Sequence, residues 1–501
     1  MLPRHYQPSL NRQQEMLLPP RVDEYVSQNN TVRAIDAYVK MLDLQELGFK
    51  HSQGGISSGQ PPFDPKALLK LYLYGYLQGI RSSRKLERET YRNLEVIWLV
   101  EGILPSYKTI ADFRKNNSAA LTASNRDFMM LCKELALFGS EQVAVDGSYF
   151  KGDASKASIY TEAKLDKQLE VLESKINDYH QALAEQDNKD DLADKGSLVE
   201  DEQLQEKLQL LQKKQAEKKA LRTQMLASGA KQISTVDQDA RLLTKRGQTI
   251  PGYNVQIAVD SEHKLIVAND VVQDGNDAHQ LTPMLEKAQG ILSSENLEGI
   301  ADSGYHNGTE IKACEDQGIT VYVAVKKQPS DKASQFGRFG KLDFQYNAEQ
   351  DYYLCPQGNQ LLPNENPQKV AEKNMIRYRI SATTCNACPL RKQCITDKTK
   401  NKQILRWEHQ AIVEKHNEKM KQNPQKMRQR GALVEHPFGT LKHRAGINHF
   451  LMRGLNKCAG EFSLMVLAYN FTRVMNIRGA DFIRDYCTQK AENKLKNVKY
   501  A

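Results

Sequence analysis

The sequence predicts an α/β fold in which a mixed sheet carries helices, with a helical module in front of it and two insertions within it. Three observations lead there. Helical periodicity dominates the first part of the chain, short strand-like apolar runs alternate with helical stretches from Gln142 to Val325, and three acids stand in distinctive settings. Asp146 ends the run Gln142-Val143-Ala144-Val145, Asp302 ends Gly299-Ile300-Ala301, and Glu435 follows Val434 in a helical stretch.

Taken in order, the chain opens irregularly, with Pro19-Pro20 and then a Gly/Ser/Pro-rich loop at Gly54 to Pro62. From Pro65 to Arg81 the apolar positions Leu68, Leu69, Leu71, Tyr72, Tyr74, Tyr76 and Leu77 describe a largely buried helix. A basic helix follows from Ser83, and a third starts near Pro105-Ser106-Tyr107 with a serine cap. The cations of Ser106 to Lys115 would be exposed on that helix. They suit either a solvated face or a helix lying against DNA.

Strand signals begin at Gln142 and return at Tyr253 to Val259, Leu265 to Ala268, Leu297 to Asp302 and Ile319 to Val325, with helical stretches at Ala278 to Gly290 and Gly308 to Gln317. The order strand, hairpin-like strand pair, helix, strand, helix, strand matches an RNase H-like mixed sheet. Between the first two strands, Leu165, Leu169, Leu172, Ile176, Tyr179 and Leu183 recur at alternating four and three spacing, a heptad seam. A polar turn at Asp187 to Gly196 then precedes Leu204, Leu208 and Leu211, so the segment reads as an antiparallel helical hairpin. It serves as a spacer, a dimer contact or a DNA contact arm.

The second insertion holds Cys355, Cys385, Cys388 and Cys394 among short β-like pieces. Cys385 and Cys388 have zinc-ligand spacing, and Cys355-Pro356-Gln357-Gly358 resembles half a knuckle. A structural zinc site and buried reduced thiols both fit. The expected domains are a helical N-terminal domain at 1–135, a catalytic domain at 136–478 with insertions at 156–232 and 326–410, and a tail at 479–501.

Composition narrows the function classes. The 501 residues are 40% apolar and 26% charged, an ordinary globular balance, and no apolar run is long enough to cross a bilayer. The N-terminus lacks an apolar h-region and the eight cysteines are irregularly spaced, which predicts a reducing, cytoplasmic setting. Formal charge is +9. Cations cluster at Arg81-Ser82-Ser83-Arg84-Lys85, Lys426 to Arg430 and Lys442-His443-Arg444, which suits phosphate contacts.

A lone aspartate at a strand end is usually a turn former or helix cap. Three acids in this order suggest more, because two-metal phosphoryl transfer needs anionic oxygens holding Mg²⁺ or Mn²⁺ ions about 3.5 to 4 Å apart. Asp146 and Asp302 could be neighbours in the sheet, with Glu435 entering from a helix running Val434 to Lys442. Asp153, Asp237, Asp239, Asp260, Asp274 and Asp277 sit in polar, turn-like contexts; of these Asp277 is kept as a supporting residue.

The blocks Asp146-Gly147-Ser148, Asp302-Ser303-Gly304-Tyr305 and Val434 to Lys442 resemble the catalytic blocks of DDE transposases of bacterial insertion sequences, with the insertion sequence 1182 family the best match. Gly252 to Gln256, Asn276-Asp277 with Leu281, Arg453-Gly454 and the helical stretch Phe63 to Lys115 extend the resemblance over most of the chain. It implies Asp146, Asp302 and Glu435 as ligands of two Mg²⁺ or Mn²⁺ ions and Lys442, seven residues after the glutamate, as a phosphate contact. Where related enzymes often have Tyr and Arg before the glutamate, this chain has Arg428 and Gly431, with Arg430 one step off. His436, beside Glu435, suits a structural or phosphate-contact role better than that of a general base.

The expectation is therefore a cut-and-paste DNA transposase. It would act as a homo-oligomer, in the simplest case a dimer, on terminal inverted repeats and target DNA, associated with the nucleoid and with no membrane partner. Lys442, Arg430, Arg428, Arg444, Arg84 and Lys85 are the expected DNA contacts. An RNase H-like nuclease without joining activity, a DNA-binding regulator and an inactive remnant are the rival readings.

Overall fold

Val143, Ala144 and Val145 are fully buried, as expected of a strand covered on both faces, and they form the start of β1 (Gln142–Lys151). The computed structural model describes residues 21–52, 61–139, 141–190, 198–245, 247–326, 337–364, 366–370, 373–444, 446 and 448–500. The opening segment with Pro19-Pro20, most of the Gly54 to Pro62 loop, and the side chains of Leu183, Leu204, His443 and Arg444 lie outside the described residues. Contacts divide the chain into two units, residues 135–148 with 254–438, and residues 1–134, 149–253 and 439–501.

The acid-bearing unit is built on a mixed sheet. After β1 come β2 (Ile159–Thr161), β3 (Gln232–Ser234), β4 (Arg241–Lys245), β5 (Gln248–Asp260), β6 (Ile266–Val272), β7 (Glu298–Ala301) and β8 (Thr320–Val323). In this unit the order is β6-β5-β1-β7-β8. β5 and β6 are antiparallel, whereas β1, β7 and β8 run parallel, with helices Leu281–Leu292 and Gly308–Asp316 making the connections around β7. The register of β1 on β7 is Gln142↔Glu298, Val143↔Gly299 and Ala144↔Ile300. Gly299 has a packing reason: a Cβ there would stand 2.6 Å from Leu285 Cδ1 on the covering helix.

Beyond β8 the chain forms a second sheet, six-stranded and antiparallel, from Gln345 to Trp407. Phe344, Tyr353, Leu361, Tyr378, Ile380, Cys385, Ile395 and Ile404 make its small core. Two helices, Gln410–Gln422 and Gln425–Gly439, complete the unit.

The other unit is mostly helical. Helices Thr31–Met41, Pro65–Leu77, Ser83–Arg92, Leu94–Leu99, Tyr107–Asn116 and Ser118–Glu134 form the N-terminal region. Asp64 and Ser106 cap two of them, Ser106 as the sequence predicts, their side chains accepting from the Lys66 and Thr109 amides. Helix Leu455–Arg478 is buried almost continuously from Cys458 to Phe471 and packs against helices Ser118–Glu134 and Pro65–Leu77. The approach is close at Gly460, where a Cβ would lie 2.6 Å from the Ser118 carbonyl oxygen. Helices Glu162–Asp190 and Leu198–Ser228 lie side by side, with Leu165, Ile176, Leu208 and Met225 buried. Arg222 near the end of the second reaches Asp166 near the start of the first at 2.6 Å, so the two run antiparallel.

One buried ionic cluster ties this unit together. Glu461 is 0% exposed and accepts from Arg81 at 3.0 Å, Tyr76 at 3.2 Å and the amides of Leu451 and Met452 at 2.9 and 3.2 Å, with Arg114 at 3.6 Å. The carboxylate gathers the turn of helix Pro65–Leu77, helix Tyr107–Asn116 and the entry to helix Leu455–Arg478 onto one buried point. Burial lifts the Tyr76 phenol to about 12, with the Glu461 charge adding to the rise. Arg81 and Arg114, expected at a phosphate surface, are 8% and 5% exposed and spent here. Removing the carboxylate in Glu461→Ala strands two buried cations, and an unfolding free energy about 3 to 5 kcal/mol lower is expected in urea titration. Glu461→Gln, which keeps acceptors for Tyr76 and the amides, should lose less.

Candidate active site

Asp146 and Asp302 are brought level by the parallel register, each two residues beyond the Ala144↔Ile300 pair. Asp302 lies just past the end of β7 and caps the turn Ser303–Tyr305, its Oδ1 accepting from the Gly304 amide at 2.7 Å. Asp146 does not end its strand as expected. β1 runs on to Lys151, because its later residues find new partners: Lys151 exchanges backbone hydrogen bonds with Asn448 and Phe450. Asp146 is thus an in-strand residue that lies beyond the end of its parallel partner.

Both acids are partly exposed, with side chains 20% and 40% accessible, and one guanidinium serves both. Arg430 Nη2 lies 2.6 Å from Asp146 Oδ1 and 3.6 Å from Asp302 Oδ2. It comes from helix Gln425–Gly439, which starts well before Val434 and holds its phase by burying Leu433, Val434, Pro437 and Phe438. Glu435 is exposed on the same helix; a Cβ on Gly431, one turn earlier, would be 3.7 Å from its Oε1. Among the described residues no group of three or more His, Cys, Asp or Glu side chains is arranged to hold a metal ion.

A buried polar layer supports the pair. Asp277 Oδ1 accepts from Asn254 Nδ2 at 2.8 Å and from Gln256 Nε2 at 2.7 Å, and Tyr305 donates to Gln256 Oε1. Burial pushes the Tyr305 phenol well above its ordinary range, and Asp277, Asp146 and Asp302 add to the rise. Asp277 touches the loops of both acids. A Cβ on Gly147 would fall 2.5 Å from Asp277 Oδ1 and 2.4 Å from Gln256 Nε2, and one on Gly304 would fall 3.4 Å from Asp277 Oδ2. The supporting role expected of Asp277 thus has a contact basis. Asn254 and Gln256 belong to the stretch that extends the resemblance, but the sequence reading gives them no role, although two polar residues at alternate positions of an apolar strand are a legible signal of a buried network.

The other acids weighed in the sequence have partners elsewhere: Asp153 pairs with Arg453, Asp239 accepts from the Leu455 amide and Asp274 from the Gln280 side chain. Asp260 accepts from the amides of Gly139, Glu262 and His263, and Asp237 accepts from Tyr253 and the Gly454 amide.

The expected DNA contacts fare differently. Arg84 and Lys85 are exposed, with Arg84 over the Tyr107 ring at 5.0 Å, and Arg428 is exposed. Arg430 is turned to the acids rather than to solvent, a correction that follows from the charge of the Asp146 and Asp302 pair. Lys442 does not continue the Glu435 helix. A π-helical segment, Thr440–Arg444, follows Gly439, and Lys442 Nζ donates to the Tyr149 carbonyl at 3.1 Å in the helical unit. Lys426 pairs with Glu298 at 2.5 Å.

Cys355, Cys385, Cys388 and Cys394 line one cavity of about 30 Å³ beside the small core. The Asn359 amide donates to Cys355 Sγ at 3.3 Å. Burial pushes the Cys394 thiol up; Lys402 opposes this, and Cys385, Cys355 and Cys388 add to it.

Two family models match the chain: "Transposase DDE domain" over residues 354–475, which includes Glu435, and "Transposase domain (DUF772)" over residues 20–116, which covers most of the N-terminal helices. Both matched stretches are transposase domains, and by them the chain is a DNA transposase; with a DDE domain goes metal-dependent cleavage and transfer of DNA strands. No curated protein matches. Among solved structures, a piggyBac transposase synaptic complex with hairpin DNA aligns over 93% of this chain and 82% of that one at 8% identity. That alignment has a TM-score of 0.31. Among the described residues no helix is long and apolar enough to cross a membrane.

The packing behind Asp146 makes a sharp expectation. Gly147→Ala must displace Asp277 or Gln256, at a cost of about 1 to 3 kcal/mol in thermal or urea unfolding. Gly290→Ala, whose Cβ would meet nothing within 4 Å among the described residues beyond its own helix, should be neutral or stabilising.

Proposed function

We propose that Asp146, Asp302 and Glu435 are the catalytic acids of this transposase and hold two Mg²⁺ or Mn²⁺ ions through hard carboxylate oxygens. The observation that carries the reading is the level placement of Asp146 and Asp302, close enough for one cation to serve both. The sheet order β6-β5-β1-β7-β8, antiparallel on one side of β1 and parallel on the other, supports an RNase H-like core. Affiliation to the insertion sequence 1182 family rests on the motif resemblance.

Bound to these oxygens, the ions would activate the attacking oxygen and stabilise the leaving one at a phosphodiester. The chain's own residues do the rest. Asp277, with Asn254 and Gln256, fixes the backbone that presents both aspartates. Gly147 and Gly304 keep that backbone free of side chains. The exposed cations Arg84, Lys85 and Arg428 supply phosphate contacts, giving an affinity that falls steeply with salt. The element end would be hydrolysed at a terminal inverted repeat, and its 3′ hydroxyl would then attack target DNA. Acting on two ends calls for a homo-oligomer, at its simplest a dimer, in the cytoplasm at the nucleoid.

The test is excision of a marker placed between the flanking repeats, with strand-transfer products assayed on purified protein. Wild type should excise and join, whereas Asp146→Asn, Asp302→Asn and Glu435→Gln, at matched expression and unchanged salt-sensitive DNA binding, should lose activity by at least about 100-fold. Cleavage without joining would make the chain a nuclease; unchanged activity in Asp302→Asn would remove the acids from the mechanism.

The four cysteines do not stand as a closed metal cage in this arrangement; we propose that they close around a structural zinc ion, supported by the cavity they share and the amide donated to Cys355. Purified protein should carry stoichiometric zinc that is lost in Cys385→Ser. Zinc-free protein with these thiols titratable would make them ordinary members of the small core.

A further inference from the structure

Two carboxylates facing one another repel, and Asp277 adds a third negative group against the same loops. The positive group that meets them is Arg430. Its Nη2 takes the space between Asp146 and Asp302, its side chain is only 17% exposed, and its Nε is buried with no hydrogen-bond partner among the described residues. A guanidinium placed for DNA would keep its fork toward solvent. This one gives up part of its hydrogen-bonding capacity to reach the acids.

We propose that Arg430 is a resident counter-ion of the acid pair, which a divalent metal ion must displace in order to load. The inference rests on the assignment of Asp146 and Asp302 as metal ligands. Asp146 Oδ1 cannot hold the guanidinium at 2.6 Å and take a metal ion in the same place, and the same group stands 3.6 Å from Asp302 Oδ2. Metal affinity in the DNA-free protein is therefore set by exchange against Arg430 rather than by the acids alone. Gly431 follows it, and among the described residues, apart from its chain neighbours and its own helix backbone, a Cβ there would meet the Glu435 carboxylate alone within 4 Å, so the helix surface at Gly431 is open. Arg430 is by this account a positioning residue: it holds the two acids facing each other without metal and yields them when metal arrives.

The experiment is Mn²⁺ binding to DNA-free full-length protein by isothermal titration, with bound and free ion counted independently by electron paramagnetic resonance. Arg430→Ala and the length-matched Arg430→Gln should bind Mn²⁺ about tenfold more tightly than wild type. Arg428→Ala removes the same charge from an exposed position two residues away and should change affinity by less than about twofold, because solvent screens it. In melting experiments Arg430→Gln should be less stable than wild type without metal and gain more from Mn²⁺. Unchanged or weaker Mn²⁺ binding in both Arg430 variants would overturn the proposal, as would an equal gain in Arg428→Ala. Asp302→Asn separates the two levels. If it abolishes Mn²⁺ binding while the Arg430 variants bind as wild type does, the acids are the site and the exchange is wrong; if it leaves binding intact, the site assignment itself fails.

Discussion

The parallel pairing of β1 with β7 is the constraint on which the acid-bearing unit depends. Side chains alternate across a strand, so a slip of one residue would turn Asp146 to the opposite face from Asp302. The register is held by packing on both sides of the sheet. Val143, Ala144 and Val145 are fully buried, and Gly299 leaves room for Leu285 to press onto the sheet from its helix. Apolar burial of this kind is non-directional, yet here it delivers two charged groups to one place. The acids can be there because the ladder to β7 stops short of them, leaving their side chains open to a cation.

Behind the pair, polar groups replace apolar ones for a reason. Asp277 is nearly buried, and a carboxylate in that position needs donors; Asn254 and Gln256 supply them, and Tyr305 takes the remaining Gln256 oxygen. Fully satisfied networks rigidify what they touch. This one touches Gly147 and Gly304, the residues next to the acids, so its stiffness is passed directly to the site.

In the helical unit the same principle appears with charged donors in place of side-chain amides. Glu461 is a buried acid satisfied by Arg81, Tyr76 and two amides, with Arg114 alongside, and helices distant in sequence meet on it. Several cations that look available for DNA are thereby consumed inside the protein: Arg81 and Arg114 by Glu461, Lys426 by Glu298, Arg430 by the acid pair. Those left exposed, Arg84, Lys85 and Arg428, are the ones free of this internal accounting.

Much was legible without coordinates, because it depends on local chemistry. Hydrophobic period located the helix that starts at Pro65 and the strands at β1, β5, β6, β7 and β8; a serine cap placed the helix after Ser106, while the short helix Leu94–Leu99 gave no signal of its own; and the small residues after Asp146 and Asp302 marked those acids as unusual. The paired helices Glu162–Asp190 and Leu198–Ser228 followed from spacing alone. What only the tertiary structure decided was how each charge is used. Whether an arginine faces phosphate or a buried carboxylate depends on residues hundreds of positions away, as Arg81 and Arg114 with Glu461 and Arg430 with Asp146 show. The extension of β1 past Asp146 depended likewise on partners near Asn448, and the Lys442 position on a π-helical turn that helical spacing does not encode. Periodicity and capping are short-range and are written into the chain. Electrostatic pairing is long-range, and it is settled only when the fold brings its partners together.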